Sequence, residues 1–336
     1  FFFYFAKTFS LMTDSKDNCV TLTRTGDKMP LVGLGTWKIS LDSTAETVYQ
    51  SIKRGYRCLD CACDYGNEAE VGKGIKRAID EGVVKREDLW ITSKLWNTFH
   101  EKERVREGCE KTLKDLGLTY LDLYLVHFPI SLKYVPIETR YPPEWFYDPS
   151  EKEPKCVGSN ATIRETWEQM EALCQAGLAK NIGVANFNVV LLQDLFKYAK
   201  VPPNVLQVEH HPYLQQPVLF DIARGFGMAI TAFSSFGAKS YWVFNEDLKK
   251  DQQLLDHPLV DAIAKKHSKT TAQVLLRFAT QRDICVIPKS SNFERLSENL
   301  ACCGFALDEK DMADLKGLEC NRRFNDVGGF GYPIYS

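Results

Sequence analysis

Short apolar runs alternate with amphipathic stretches along the whole of this 336-residue chain, and that alternation limits its fold more than any other feature. Eight runs read as buried strands: residues 31–34, 56–59, 89–93, 121–126, 181–184, 205–208, 229–232 and 284–287. Most are rich in Val, Ile, Leu or aromatics and bounded by polar or turn residues, as strands covered on both faces must be. Residues 56–59, which include the charged Arg57, are the weakest of the eight on composition. Between them lie stretches with helical spacing at 44–54, 68–81, 104–116, 162–175, 190–200, 217–224, 271–281 and 293–302. In 68–81, Val71, Ile75, Ala78 and Ile79 share one face; 217–224 opens with Pro217, which suits a helix start. Eight such units predict an α/β protein of the (β/α)8 barrel type, with long loops on its C-terminal face, in preference to an open doubly wound sheet. No GxGxxG follows the first strand and no GxxxxGK[ST] occurs, so Rossmann and P-loop sites have no support. There is no linker, repeat or low-complexity segment, and residues 20–336 read as one domain. Residues 129–161, 234–256 and the tail from 321 are too long to be simple connections; in a barrel such loops build the active site.

Composition removes several alternatives. A net charge of −2, with no basic run, disfavours a nucleic-acid partner. The eleven cysteines are odd in number and scattered through strands and helices, which does not suit a disulfide framework. Cys58, Cys61 and Cys63 crowd one segment, but no second ligand pair follows at metal-site spacing. Reduced thiols in a cytoplasmic protein without a metal is the expectation. The first eleven residues are apolar but too short to span a membrane, and they lack a charged leader and a small-residue cleavage site. Met12 precedes a polar stretch, so residues 1–19 read as a disordered or non-native extension, with a trimmed signal peptide as the alternative. Asn160-Ala161-Thr162 is a glycosylation sequon, which has no meaning in the cytosol.

Polar residues at strand ends point to the chemistry. Asp60 follows the second run, Tyr65 lies five positions on, Lys94 closes the third and His127 the fourth. Burying Asp, Lys and His there is costly unless they pair or serve function. The strings around them are Met29-Pro30-Leu31-Val32-Gly33-Leu34-Gly35-Thr36-Trp37, Tyr65-Gly66-Asn67-Glu68, Ser93-Lys94-Leu95-Trp96-Asn97 and Val126-His127-Phe128-Pro129-Ile130. With Glu209-His210-His211-Pro212-Tyr213, Ser234-Ser235-Phe236-Gly237 and Arg323-Phe324-Asn325-Asp326, they resemble the aldo-keto reductases, most closely the xylose reductase-like branch, over nearly the whole chain.

The resemblance implies reduction of an open-chain aldose or related aldehyde, with NADPH as cofactor and NADH as the alternative. Tyr65 would be the general acid, Lys94 would lower its pKa, Asp60 would orient the lysine, and His127 would fix the substrate oxygen. Asn186 and Gln207 would hold the nicotinamide carboxamide, and Phe233 would stack on its ring. This chain has Ala185 where the family usually has Ser, which removes one hydrogen bond. Ser234, Ser235, Phe236 and Gly237 would cross the pyrophosphate. Lys289, Ser290, Ser291, Asn292, Arg295, Glu298 and Asn299 would take the adenosine end, with Lys289, Ser290 and Arg295 on a 2′-phosphate. Dual-specificity relatives place a carboxylate in the loop 234–256. Here Trp242-Val243-Phe244 stands near it, with acids only at Glu246 and Asp247, which favours NADPH. Trp37, Trp96 and Phe128 would wall the substrate site, and Asp64 and Asn325 would bind sugar hydroxyls. A broad aldehyde reductase and a non-catalytic NADPH-binding barrel are the alternatives; the resemblance implies a monomer or homodimer that binds a small-molecule carbonyl substrate.

Overall fold

The computed structural model describes residues 13–14, 18–242, 246–250 and 253–335. The expected extension therefore lies mostly outside the described residues, as do Met12, Val243 and Phe244. A three-stranded antiparallel sheet opens the described chain, formed by β1 (Thr13–Asp14), β2 (Cys19–Thr21) and β3 (Lys28–Pro30). Eight strands follow: β4 (Leu34–Gly35), β5 (Cys58–Asp60), β6 (Trp90–Leu95), β7 (Leu121–Val126), β8 (Ala179–Ala185), β9 (Val205–Glu209), β10 (Ala229–Phe233) and β11 (Ile284–Val286). They pair in parallel in sequence order. A parallel bridge from Val32 to Val286 joins the two ends. The Gly33 and Val286 amides reinforce it by donating to Val286 O and Leu31 O, both at 2.8 Å. The approach is so close there that a Cβ on Gly35 would fall 2.5 Å from the Ile287 carbonyl oxygen. The fold is the (β/α)8 barrel expected from the alternation.

Helices wrap this sheet: α1 (Leu41–Lys53), α2 (Glu68–Asp80), α3 (Val105–Leu116), α4 (Ile163–Gln175), α5 (Val189–Tyr198), α6 (Pro217–Gly225), α7 (Pro258–His267), α8 (Thr271–Thr280), α9 (Phe293–Leu300) and α10 (Glu309–Lys316). Their starts follow local chemistry. Thr162 and Glu165 form a capping box at α4, as do Thr270 and Gln273 at α8, and Asn292 caps α9. Spacing predicts neither α7 nor α10. Only Asp311 and Leu315 are buried in α10, so its pattern is weak, and tertiary ion pairs fix it: Lys266 to Asp308 and Asp311, His267 to Asp311.

The large core fills the barrel and the sheet–helix interface. A second apolar cluster includes Tyr241, Leu254, Val260, Phe278, Leu315 and Phe324, and it fastens the loop after β10 and the C-terminal tail to α7, α8 and α10. The turn between β2 and β3 closes the opposite end. Arg24 and Thr25 bond Asn204 and Asn181, and Asn181 reaches Asp27, at 2.7–2.9 Å.

Glu68, at the start of α2, is buried and accepts from Ser93 Oγ (2.6 Å) and Thr112 Oγ1 (3.1 Å). Burial pushes its carboxyl up to about 7, although both hydroxyls oppose this. The folded state thus holds a proton that the unfolded chain has already released, and stability falls as pH rises from 4.5 to about 7. Relative to Glu68→Gln, the wild type should lose up to about 3 kcal/mol over that interval, read from denaturant midpoints at stepped pH.

Candidate active site

Asp60 ends β5, Lys94 lies one residue before the end of β6, and His127 follows β7, so three adjacent strands deliver them to one end of the barrel. Tyr65 comes from the short helical turn Cys63–Tyr65 directly after β5. Lys94 is 1% exposed and Asp60 2%, and they meet at 2.6 Å (Nζ to Oδ1). Lys94 Nζ also donates to the Cys61 carbonyl at 2.8 Å and to Tyr65 Oη at 3.1 Å. An ammonium has three protons, and here each has an acceptor. Since Tyr65 Oη accepts from the lysine, its own proton points elsewhere and is available to an acceptor in the barrel mouth. Asp60 Oδ2 accepts from Gln207 Nε2 at 2.7 Å, which ties β9 into the same network.

Lys94 acts on Tyr65 in the expected direction, but burial opposes it. Burial pushes the Tyr65 phenol above its ordinary value; Lys94 pulls it down by charge and hydrogen bond without cancelling that, and Asp60 and Asp64 push it further up. Tyr65 is therefore firmly protonated in the resting protein. Burial alone would lower the Lys94 ammonium, but Asp60 and Tyr65 outweigh it and hold it above the usual lysine range. Burial, with Lys94 and His100 adding to it, keeps His127 well below its ordinary value, so its imidazole is neutral. His127 Nδ1 is buried without a hydrogen-bond partner among the described residues. Asp64, half-buried, is pushed up to about 7 by desolvation first and by the Glu144 charge second, against Lys94.

Aromatic rings frame this set. Trp96 meets His127 edge-on at 5.2 Å and Trp145 at 5.0 Å, and Phe128 stacks on His127 at 4.9 Å. Trp145 in turn stacks on Phe330 of the tail at 4.6 Å. Trp96 Nε1 donates to the Glu144 carbonyl at 3.0 Å, so the loop after β7 is bonded to the wall it covers. Trp37 packs against Tyr241, whose hydroxyl is 2.6 Å from Ser234 Oγ.

The residues expected to hold a cofactor fall into two groups. Asn186 and Gln207 bond directly to the group formed by Asp60, Lys94, Tyr65 and His127: Gln207 reaches Asp60, and Asn186 Nδ2 donates to the His127 carbonyl at 2.8 Å. Its Oδ1 accepts from Tyr335 Oη at 2.8 Å. Phe233 ends β10, half-buried, and Ser234, Ser235, Phe236 and Gly237 follow as a tight turn in which Gly237 N–H donates to Ser234 O at 2.8 Å. The second group gathers after β11. Lys289, Ser291 and Arg295 are exposed, Ser290 and Asn299 are buried, Glu298 is half-buried, and Asn292 caps α9. Lys38 belongs with them: burial first, and then the Lys289 charge, lowers its ammonium. Two mutually repelling cations at one rim suit an anionic ligand such as a phosphate. Glu246 and Asp247 are exposed on the turn Glu246–Lys250.

Sequence reasoning missed Lys38, Glu144, Trp145, Tyr241, Phe330 and Tyr335. Only Lys38 carried a signal, being next to Trp37 at the end of a family string; the rest sit in loops whose path no local pattern dictates.

Comparison with known proteins agrees with this geometry. The model of the Aldo/keto reductase family matches residues 31–319. The NAD(P)H-dependent D-xylose reductase of Aspergillus niger is 52% identical over 313 residues, covering 92% of this chain and 97% of that protein. The 4-dihydromethyl-trisporate dehydrogenase of Mucor mucedo is 50% identical over 318 residues, covering 94% and 98%. Among solved structures, the aldose reductase of Schistosoma japonicum superposes with a TM-score of 0.83 at 36% identity, covering 94% of this chain and 97% of that one. With the barrel, the Asp60–Lys94–Tyr65 network and these matches together, the chain belongs to the aldo/keto reductase family.

Proposed function

We propose that this protein reduces the carbonyl of an open-chain aldose or a closely related aldehyde to the alcohol, using NADPH in preference to NADH. The observation that carries the reading is the placement of the Lys94 protons, which leaves the Tyr65 hydroxyl as a donor at the mouth. A nicotinamide held beside this site would supply the hydride for the carbonyl carbon. Tyr65 gives its proton to the carbonyl oxygen as negative charge gathers there. Lys94 stabilises the phenolate left behind, and Asp60 with Gln207 keeps the lysine in place. The neutral His127 donates an N–H to the same oxygen and orients it. Water is kept from the reacting centre by Trp37, Trp96, Phe128 and the Trp145–Phe330 stack.

The residues present fit the cofactor. Asn186 and Gln207 would take the carboxamide, without the hydroxyl that Ala185 lacks, and Phe233 would lie against the ring. The turn Ser234–Gly237 would cross the pyrophosphate, and Lys289, Ser290 and Arg295 would take a 2′-phosphate, with Lys38 beside Lys289. Ser291, Asn292, Glu298 and Asn299 complete the adenosine end. The buried thiols Cys58, Cys61 and Cys63 fit a reducing, cytoplasmic setting.

Asp64 and Asn325 would recognise the polyol. Asp64 ionises near pH 7, and a carboxylate accepts hydroxyl hydrogen bonds more strongly than its acid does. The KM for xylose should therefore fall roughly tenfold as pH rises through that range. Asp64→Asn should flatten the profile, and an aromatic aldehyde should show no such trend. A carbonyl panel with NADPH and NADH tests the whole reading; a strong preference for the aromatic aldehyde that Asp64→Ala leaves untouched would overturn it. That result would support the second reading, a general aldehyde reductase, which the aromatic walls of the mouth favour. Tight NADPH binding without oxidation by any carbonyl would point to a non-catalytic barrel.

A further inference from the structure

Glu209 has no part in the chemistry above, yet its carboxylate is wholly buried at the end of β9. Oε1 accepts from His211 Nε2 and from the Phe324 backbone N–H, both at 2.8 Å. Oε2 accepts from the Asn325 N–H at 2.8 Å and lies 4.0 Å from Arg323 Nη1. The Glu209 carbonyl accepts from Gln216 Nε2, whose Oε1 takes Arg323 Nη2 at 3.1 Å. Arg323 also lies over the ring of Tyr335, near the end of the tail, at 3.7 Å. A buried carboxylate is stable only when its oxygens are filled, and here a segment more than a hundred residues away in sequence fills them.

Side chains two apart on a strand share a face, so Gln207 and Glu209 act from the same side of β9. Gln207 holds Asp60, and Glu209 holds the backbone that carries Asn325. We propose that Glu209 is a positioning residue for substrate recognition: its carboxylate fixes the tail at Phe324 and Asn325, so that Asn325 meets the hydroxyls of a polyol substrate in register with the Tyr65 site. This rests on the reading of Asn325 as a sugar contact. The requirement is for two acceptor oxygens. An amide has one, and whichever way it turns, its NH2 faces either the Asn325 N–H or the pair formed by Phe324 N–H and His211.

The test is Glu209→Gln, which keeps size and packing, beside Asn325→Ala and the double variant. Hydrogen exchange at the Phe324 and Asn325 amides is measured with NADPH affinity and with KM and kcat for xylose and for an aromatic aldehyde. Glu209→Gln should expose both amides to exchange and raise the xylose KM about tenfold. NADPH affinity and aromatic-aldehyde turnover should be unchanged, and the double variant should be no worse on xylose than Asn325→Ala. Unchanged exchange, an equal loss on both substrates, or multiplying effects in the double variant would overturn the proposal. If Glu209→Gln does not fold, Glu209→Asp carries the same expectation, since it keeps the carboxylate but, one methylene shorter, draws both oxygens back from the tail amides. Failure of the sugar reading would show separately, as wild-type xylose turnover no better than that of Asn325→Ala.

Discussion

Tyr65→Phe should lower kcat by roughly 10²–10⁴-fold while leaving NADPH affinity within about threefold of wild type. The substitution deletes one hydroxyl and leaves the ring, whose centroid lies 4.9 Å from Lys94 Nζ and 6.0 Å from that of His127. Packing survives, and so does the Lys94–Asp60 pair. The reaction loses the proton that the resting phenol holds. Because burial keeps that phenol protonated, the wild-type rate should not fall at neutral pH through loss of the acid form. Single-turnover measurements with deuterated NADPH separate this from slow release: a variant limited by chemistry shows a larger isotope effect. Near-normal turnover in Tyr65→Phe would remove the acid assignment.

Lys94→Met should harm both folding and rate. It leaves Asp60 2% exposed, with the neutral Gln207 amide still donating to it but no cation beside it. Stranding one member of a buried ion pair costs about 3–5 kcal/mol. Removing both charges, in Lys94→Met with Asp60→Asn, should recover much of that stability and none of the activity. Denaturant unfolding and steady-state kinetics on the three variants decide it; equal stability of the single and double variants would show the pair to be unimportant for folding. The Lys94 pKa is raised in the folded state, so its contribution is complete at all pH below the ordinary lysine value and is lost only as pH climbs through the raised one.

Most of the barrel was legible because its signals are local. A strand buried on both faces must be an apolar run, and a helix covering it must repeat its apolar residues every three to four positions. Six of the eight strand-like runs overlap their observed strands by three residues or more. The run at 56–59, with the weakest composition, shares only Cys58 and Leu59 with β5, and the first run contributes Leu34 to β4 and Val32 to the closing bridge. What escaped was held by partners far away. Helix α10 depends on Lys266 and His267, and the β1–β3 sheet presents short, half-polar strands.

By itself, then, the sequence determined the eightfold alternation and the family strings that place Asp60, Tyr65, Lys94 and His127 at the ends of strands. Only the tertiary structure decided how those groups behave. It supplied the burial that raises the phenol despite a neighbouring ammonium, the loop that sets Glu144 against Asp64, and the tail segment whose amides bond the buried Glu209. Charge and desolvation depend on which atoms surround a group from every direction, and that arrangement exists only once distant segments have packed together.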